Sequence, residues 1–148
     1  MLAPVEALVP IPENLRDVEA APLLCAGITT YNALRHSGAM PGDLVAVQGI
    51  GGLGHLGIQF ANRFGYKVVA IGRGSENASL AAKLGANVYI DSKSTNAAEA
   101  LQKLGGARVI LATAPSSKAM SELVDGLGSN GKLVVVGVEF APIEVTPI

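Results

Sequence analysis

Tryptophan does not occur in this sequence, cysteine occurs once and histidine twice. A single cysteine excludes a disulfide within the chain. Cys25, His36 and His55 together leave few soft donors for a metal ion. Charge of one sign is also missing: 11 Lys and Arg stand against 12 Asp and Glu, scattered along the chain, for a net charge of −1. No basic patch marks a nucleic-acid partner. The N-terminus has no basic segment followed by an apolar core, and no apolar run approaches the length needed to cross a bilayer, so a cytoplasmic location without a membrane partner is expected.

What the chain does have is apolar residues, 49% of the total, and 18 glycines in 148 positions. That is enough to bury a core of one domain, and the composition is that of an α/β protein. One stretch organises the rest. Leu44 to Gln48 is short, apolar and β-branched and reads as a strand. It enters Gly49-Ile50-Gly51-Gly52-Leu53-Gly54, which has the spacing G-x-G-x-x-G. From Leu53 the apolar residues fall at Leu56, Phe60, Ala61 and Phe64, one face of a helix that Gly65 closes, and Lys67 to Ile71 follows as a second strand. In such a unit Gly49 permits the tight turn, Gly51 lets a pyrophosphate approach the backbone, and Gly54 lets the helix pack on the strand. The free N–H groups and positive dipole end of the helix then face the phosphates.

The remainder repeats the pattern. Met1 to Glu13 carries three prolines and is expected to be extended; Asp17 to Cys25 and Ile28 to Ser37 are expected as helices, and Met40-Pro41-Gly42-Asp43 as a turn. After Ile71 come a helix over Glu76 to Leu84, a strand over Val88 to Ile90 and a helix starting at Asn96 with Glu99 three residues on. A strand over Arg108 to Thr113 follows, then a helix capped by Ser116 or Ser117 and running to Gly128. An Asn130-Gly131 turn leads into a strand over Lys132 to Gly137. Val134 to Val138 reads as an apolar stripe of the sheet core. Alternating strands and helices imply a Rossmann-type doubly wound parallel sheet with helices on both faces, order 3-2-1-4-5, with a sixth strand missing. The site is expected in the crevice at the C-terminal ends of strands one and four. Residues 1–148 are expected to be one NAD(P)-binding domain, with 1–40 as connector and helices and 41–148 as the Rossmann core.

Leu24-Cys25-Ala26-Gly27-Ile28-Thr29-Thr30-Tyr31, Pro41-Gly42-Asp43, the Gly49 to Gly57 segment, Leu84-Gly85-Ala86 and Gly131 to Gly137 run in this order across nearly the whole chain. Together they resemble the cofactor-binding half of the zinc-dependent, medium-chain alcohol dehydrogenases, with the nearest look to bacterial and fungal primary alcohol dehydrogenases and their aryl or cinnamyl alcohol relatives. The resemblance implies hydride transfer between an alcohol and a nicotinamide. It makes Cys25 one ligand of a zinc whose other ligands belong to a separate catalytic domain. It places Thr29 and Leu53 against the nicotinamide and the backbone around Val136 to Val138 at its carboxamide. Ile143-Glu144-Val145 resembles the family's subunit-pairing edge, so a homodimer through 143–146 is an expectation. With one zinc ligand and no catalytic domain, this chain is expected to be inactive by itself. The alternative is a stand-alone dinucleotide-binding module without catalysis.

Cofactor choice turns on the end of the second strand, where an acidic residue would bond the ribose 2′-OH of NAD. Gly72 stands there, followed by Arg73-Gly74-Ser75. Without a carboxylate, and with a guanidinium fork beside the site, a 2′-phosphate is accommodated, which favours NADP over the alternative, NAD. Replacing Gly72 with Asp is expected to move the preference toward NAD. Glu76, Asp91, Glu99 and Asp125 suit helix starts, loop ends and solvated faces and receive no chemistry. His55 and His36 read as solvated or locally bonded side chains.

Overall fold

The computed structural model describes residues 2–146. In chain order the elements are α1 (Asp17–Ala20), α2 (Ala26–Arg35), β1 (Leu44–Gln48), α3 (Gly52–Arg63), β2 (Lys67–Gly72), α4 (Ala78–Leu84), β3 (Val88–Asp91), α5 (Ala97–Lys103), β4 (Ala107–Ala112), α6 (Ser117–Leu123) and β5 (Leu127–Val135). All strand pairs are parallel, and the sheet order is β3-β2-β1-β4-β5. The order reverses between β1 and β4, which places the switch point where the sequence puts it.

Side-chain alternation along the strands divides the core in two. Val45 and Val47 of β1, Val68 and Ala70 of β2, and Val109 and Leu111 of β4 face one side. There they meet Leu34 of α2, Ile58 and Ala61 of α3, and Ala81 of α4. Ala46, Val69, Ile71 and Ile110 face the other side, against Leu101 of α5 and Leu123 of α6. Every residue of β1 from Val45 to Gln48 is buried, as expected of a central strand covered on both faces. The few aromatics are concentrated: the ring of Tyr31 on α2 lies 5.6 Å from Phe60 and 5.4 Å from Phe64 on α3, and Phe64 lies 5.7 Å from Tyr66. These contacts seat α2 on α3 and bind the N-terminal helices to the sheet.

Several expectations from sequence are corrected. Val5–Ala7 forms one 3-10 turn inside the otherwise extended N-terminal stretch. The segment Asp17 to Cys25 is α1 followed by a 3-10 turn over Ala21–Leu24, because Pro22 cannot continue the α-helical hydrogen-bond ladder. The helix capped by Ser116 ends at Leu123, then tightens into a 3-10 turn over Val124–Gly126, and β5 begins at Leu127. Asn130-Gly131 lies within β5 as a bulge: the pairing advances from Leu127 to Lys132 while β4 advances only from Ala107 to Val109, and Arg108 donates to the Asn130 carbonyl at 2.6 Å. Val134 to Val138 belongs to the core on one face only: Val134 and Val136 pack against the cluster around Val109 and Leu111, whereas Val135 is 45% and Val138 78% exposed. Among the described residues β5 pairs with β4 alone, so its other side has no neighbour.

The 143–146 segment is likewise no strand. The chain here is held to α6 instead: Ser117 donates to the carbonyl of Ala141, just before the segment, at 2.6 Å, and within it the Glu144 N–H donates to Ser121 Oγ at 2.9 Å. A dimer edge at these residues therefore has no paired or pre-formed strand in this structure.

Two buried glycines of α3 give a controlled test of the packing. A Cβ at Gly54 would collide with the carbonyl group of Gly49, 2.8 Å from its carbon, whereas a Cβ at Gly57 would meet the tip of Leu111 at 2.9 Å. Both substitutions to alanine gain the same helix propensity, about 1 kcal/mol. Backbone cannot yield as a leucine terminus can, so Gly54→Ala should destabilise the protein more than Gly57→Ala, by on the order of 1–3 kcal/mol of overpacking strain. Urea unfolding midpoints of the two variants measure the difference, and equal midpoints contradict this account of α3 docking.

Candidate functional site

The site is built where β1 and β4 end. Thr113, just past β4, donates through its hydroxyl to the Gln48 carbonyl at 2.8 Å and through its N–H to the same oxygen at 2.9 Å. The Gln48 side chain accepts in return from the Ala114 N–H at 3.1 Å. This double lock fixes the two strand ends against each other just below the glycine turn. Gly49 leaves β1 at φ +90°, and a Cβ there would lie 2.9 Å from both Ala114 Cβ and Thr113 Oγ1. It is glycine for conformation and for space.

The turn delivers the chain into α3 with Gly51 at the N-cap. No side chain caps this end and no acidic residue occupies its first turn. The first N–H groups of a helix have no intrahelical acceptor, and with the dipole they make this end receptive to an anion. A Cβ added at Gly51 or Gly52 would meet nothing within 4 Å. The protein's own packing therefore does not require glycine at these two positions, in contrast to Gly49 and Gly54.

Beside the turn opens a cleft of about 640 Å³ across the C-terminal ends of the strands, within the size range of small-molecule sites. Gln48 and Gly49 line it from β1, Gly72 and Arg73 from β2, Ser92 and Lys93 from the end of β3, and Ala114 from β4; α5 and α6 close the far wall through Ala98 and Leu123. The described ion pairs are Arg16–Glu19 and Lys118–Glu122, so among the described residues neither Arg73 nor Lys93 is engaged by a carboxylate in an ion pair.

The loop after β2 is held by β3. Asp91 Oδ1 accepts from the Gly74 N–H at 2.6 Å and the Lys93 N–H at 2.9 Å, and the Tyr89 hydroxyl donates to the Gly74 carbonyl. The Lys93 and Gly74 amides, in that order, hold the Asp91 carboxyl below its usual 3.8, with smaller help from the Ser94 hydroxyl and the Lys93 charge. Burial, then the carboxylates of Asp91 and Glu76, push the Tyr89 phenol above its usual value, so it remains a donor at neutral pH.

Of the residues singled out from sequence, Gly49, Gly72 and Arg73 line the cleft. Gly51 caps α3, and Gly52, Leu53 and Gly54 form its first turn. Thr29 is half-buried on α2. The backbone N–H groups of Val136 and Gly137 both donate to the Ala112 carbonyl at 3.0 Å, so this segment is tied to the end of β4, while the Val138 side chain is exposed. Cys25 is exposed at the start of α2. Among the described residues no group of three or more His, Cys, Asp and Glu could hold a metal ion. Cys25 is thus a single donor, and the described residues do not by themselves make a zinc site. His55 is bonded locally, its ring and carbonyl both meeting the Gln59 amide, and His36 meets the Asn32 carbonyl at 3.0 Å. Ser92 and Lys93 are cleft residues that the sequence reading passed over. The signal was available, because strand order 3-2-1-4-5 puts the end of β3 beside Gly72. No helix among the described residues is long and apolar enough to cross a membrane.

The sheet order and the position of the cleft define a Rossmann-type α/β domain. Comparison with known proteins carries this further. The sequence profile of the family described as zinc-binding dehydrogenase matches residues 52–147. The chain is 50% identical over 133 residues to the alcohol dehydrogenase patD of Penicillium expansum, covering 90% of this chain and 39% of that protein. It is 41% identical to an alcohol dehydrogenase of Geobacillus stearothermophilus, covering 97% of this chain and 42% of that one. The solved alcohol dehydrogenase TADH from Thermus sp. ATN1 superposes with a TM-score of 0.85 at 29% identity, over 93% of this chain and 41% of its own. This chain belongs to the zinc-binding dehydrogenase family. It spans about two-fifths of the length of the relatives it matches.

The Asp91 clamp has a pH signature. A carboxyl held below its ordinary pKa contributes stability that is present above the unfolded value and is lost as pH falls through the folded one. Asp91→Asn should therefore lower the melting temperature at neutral pH, and the gap to the unsubstituted protein should close as pH falls below the ordinary aspartate range. Thermal melts across that range check it, and a gap that stays constant in acid rules out the ionised clamp.

Proposed function

We propose that this chain is the NAD(P)-binding part of an alcohol dehydrogenase, in which hydride passes between an alcohol and the nicotinamide, and that NADP is the preferred cofactor. The observation that carries the reading is the uncapped α3 end at the switch point, opening beside a cleft whose rim holds Arg73 and Lys93. The residues fit a dinucleotide: the absence of Cβ atoms at Gly51 and Gly52 leaves room for a pyrophosphate against the first-turn amides. When bound, the nicotinamide supplies the hydride acceptor or donor. The chain's own residues bind and orient it. Gly49 to Gly54 receive the phosphates, and Arg73 with Lys93 receives a 2′-phosphate. Leu53, Thr29 and the Val136 to Val138 backbone bound the nicotinamide end. Cys25 serves as one zinc ligand with others supplied from outside the residues described.

Fluorescence titration of this chain with NADPH and with NADH tests the proposal. NADPH should bind the more tightly. Gly51→Val should weaken both cofactors by at least roughly tenfold with little change in melting temperature, because a side chain there meets only open space. Arg73→Ala should weaken NADPH by about tenfold, the scale of one charge-assisted hydrogen bond, and leave NADH nearly unchanged. Undiminished binding in Gly51→Val removes the phosphate site from the glycine turn; equal losses for both cofactors in Arg73→Ala remove the 2′-phosphate from Arg73.

A further inference from the structure

Gly72 ends β2 opposite Asp91 of β3, and Tyr89 stands two residues earlier on β3 opposite Ala70. Residues two apart on a strand share a face, so a side chain at 72 would emerge on the face where the Tyr89 ring lies. The collision is direct. A Cβ at Gly72 would sit 2.9 Å from Tyr89 Cζ and 3.1 Å from Cε2, with the phenol oxygen nearer still. Nor is the ring free to swing away. Its hydroxyl donates to the Gly74 carbonyl, and its body packs against the core cluster of Val68, Ala70 and Ala81.

The geometry points to Tyr89 as the positioning residue that sets cofactor preference: its ring occupies the volume an acidic side chain at 72 would need, and its hydroxyl fixes Gly74 so that Arg73 stays at the cleft. This inference rests on the NADP reading given above. Three further observations support it. Gly74 is gripped from both sides, its carbonyl by Tyr89 and its N–H by Asp91, and it is buried at φ +90°. Arg73, the one residue between Gly72 and Gly74, is exposed and lines the cleft. Asp91, the acid adjacent to this place, has Oδ1 committed to the Gly74 and Lys93 amides and is not among the residues that line the cleft. The groups facing the Tyr89 hydroxyl that carry charge are Asp91 and Glu76.

The expectation that Gly72→Asp alone turns the preference toward NAD is revised accordingly. The test is a four-chain cycle of the unsubstituted protein, Gly72→Asp, Tyr89→Val and the double variant, each titrated with NADPH and NADH and each melted thermally. Gly72→Asp alone should melt lower and gain no NADH affinity. The double variant should recover melting temperature relative to Gly72→Asp, bind NADH at least tenfold more tightly than that single variant, and prefer NADH to NADPH. Tyr89→Phe, which keeps the ring and loses only the hydroxyl, should weaken NADPH several-fold with NADH unchanged, a change in ratio that a merely structural role does not produce. If Tyr89→Val loses its cooperative melt, Tyr89→Leu carries the same cycle.

Gly72→Asp gaining NADH as strongly as the double variant, or strict additivity of the two substitutions in both readouts, overturns the role of Tyr89 while leaving the NADP reading standing. Tighter binding of NADH by the unsubstituted chain overturns the NADP reading itself, and the inference with it. Failure to bind either cofactor overturns both.

Discussion

The contact on which the rest depends is that between the first turn of α3 and the carbonyl of Gly49. Because Gly54 has no side chain, the helix axis comes down onto the chain leaving β1 with backbone against backbone. This brings Ile58 and Ala61 down among Val45, Val47 and Val68 and sets the uncapped helix start, with Gly51 at its N-cap, two residues beyond Gly49, which lines the cleft. The Thr113 lock to Gln48 supplies the complement, keeping β4 level with β1 so that the crevice has two fixed lips. Packing and site are the same arrangement seen from two sides, and a change that loosens one loosens the other.

The fold was legible in the sequence to the extent that local signals and tertiary needs agreed. Leu44–Gln48 is the strand expected, and Asn96 caps α5 by accepting from the Glu99 N–H, as its spacing indicated. The sheet order followed from the alternation of strands and helices. Where the reading failed, a non-local partner decided. Asn130-Gly131 looks like a turn because both residues favour one, yet the pairing of Leu127 with Ala107 draws the preceding residues into β5 and leaves the dipeptide as a bulge. Val134 to Val138 looks like core throughout because it is apolar; Val134 and Val136 are, but Val135 and Val138 are exposed, since β5 pairs on one side only among the described strands. Ile143 to Thr146 looks like an edge strand, yet the Glu144 N–H goes to the Ser121 hydroxyl of α6 instead of to a neighbouring strand.

The site divides along the same line. The glycines at 49, 51 and 54 announce themselves by spacing, and structure adds that they are glycine for different reasons: 49 and 54 because the protein fills the space beside them, 51 because nothing does. Lys93 and Tyr89 carry no motif. Lys93 comes to the cleft, and Tyr89 to the Gly72–Gly74 loop, through the pairing of β3 with β2, a long-range fact that no window of residues contains. Cys25 stands apart from this group, exposed and without neighbours able to complete a metal site among the described residues.

Gly72 and Tyr89 are separated by 17 positions in the chain yet claim one volume. Two positions that share a space cannot drift independently. Under the role proposed for Tyr89, a lineage moving from one cofactor to the other passes either through a crowded intermediate, with the acid present before the ring has gone, or through a hollow one, with the ring lost first. Each is less stable than its ends, so the shift is an epistatic step rather than a single exchange. Across the family, the residue closing β2 and the one two places before the end of β3 should change together.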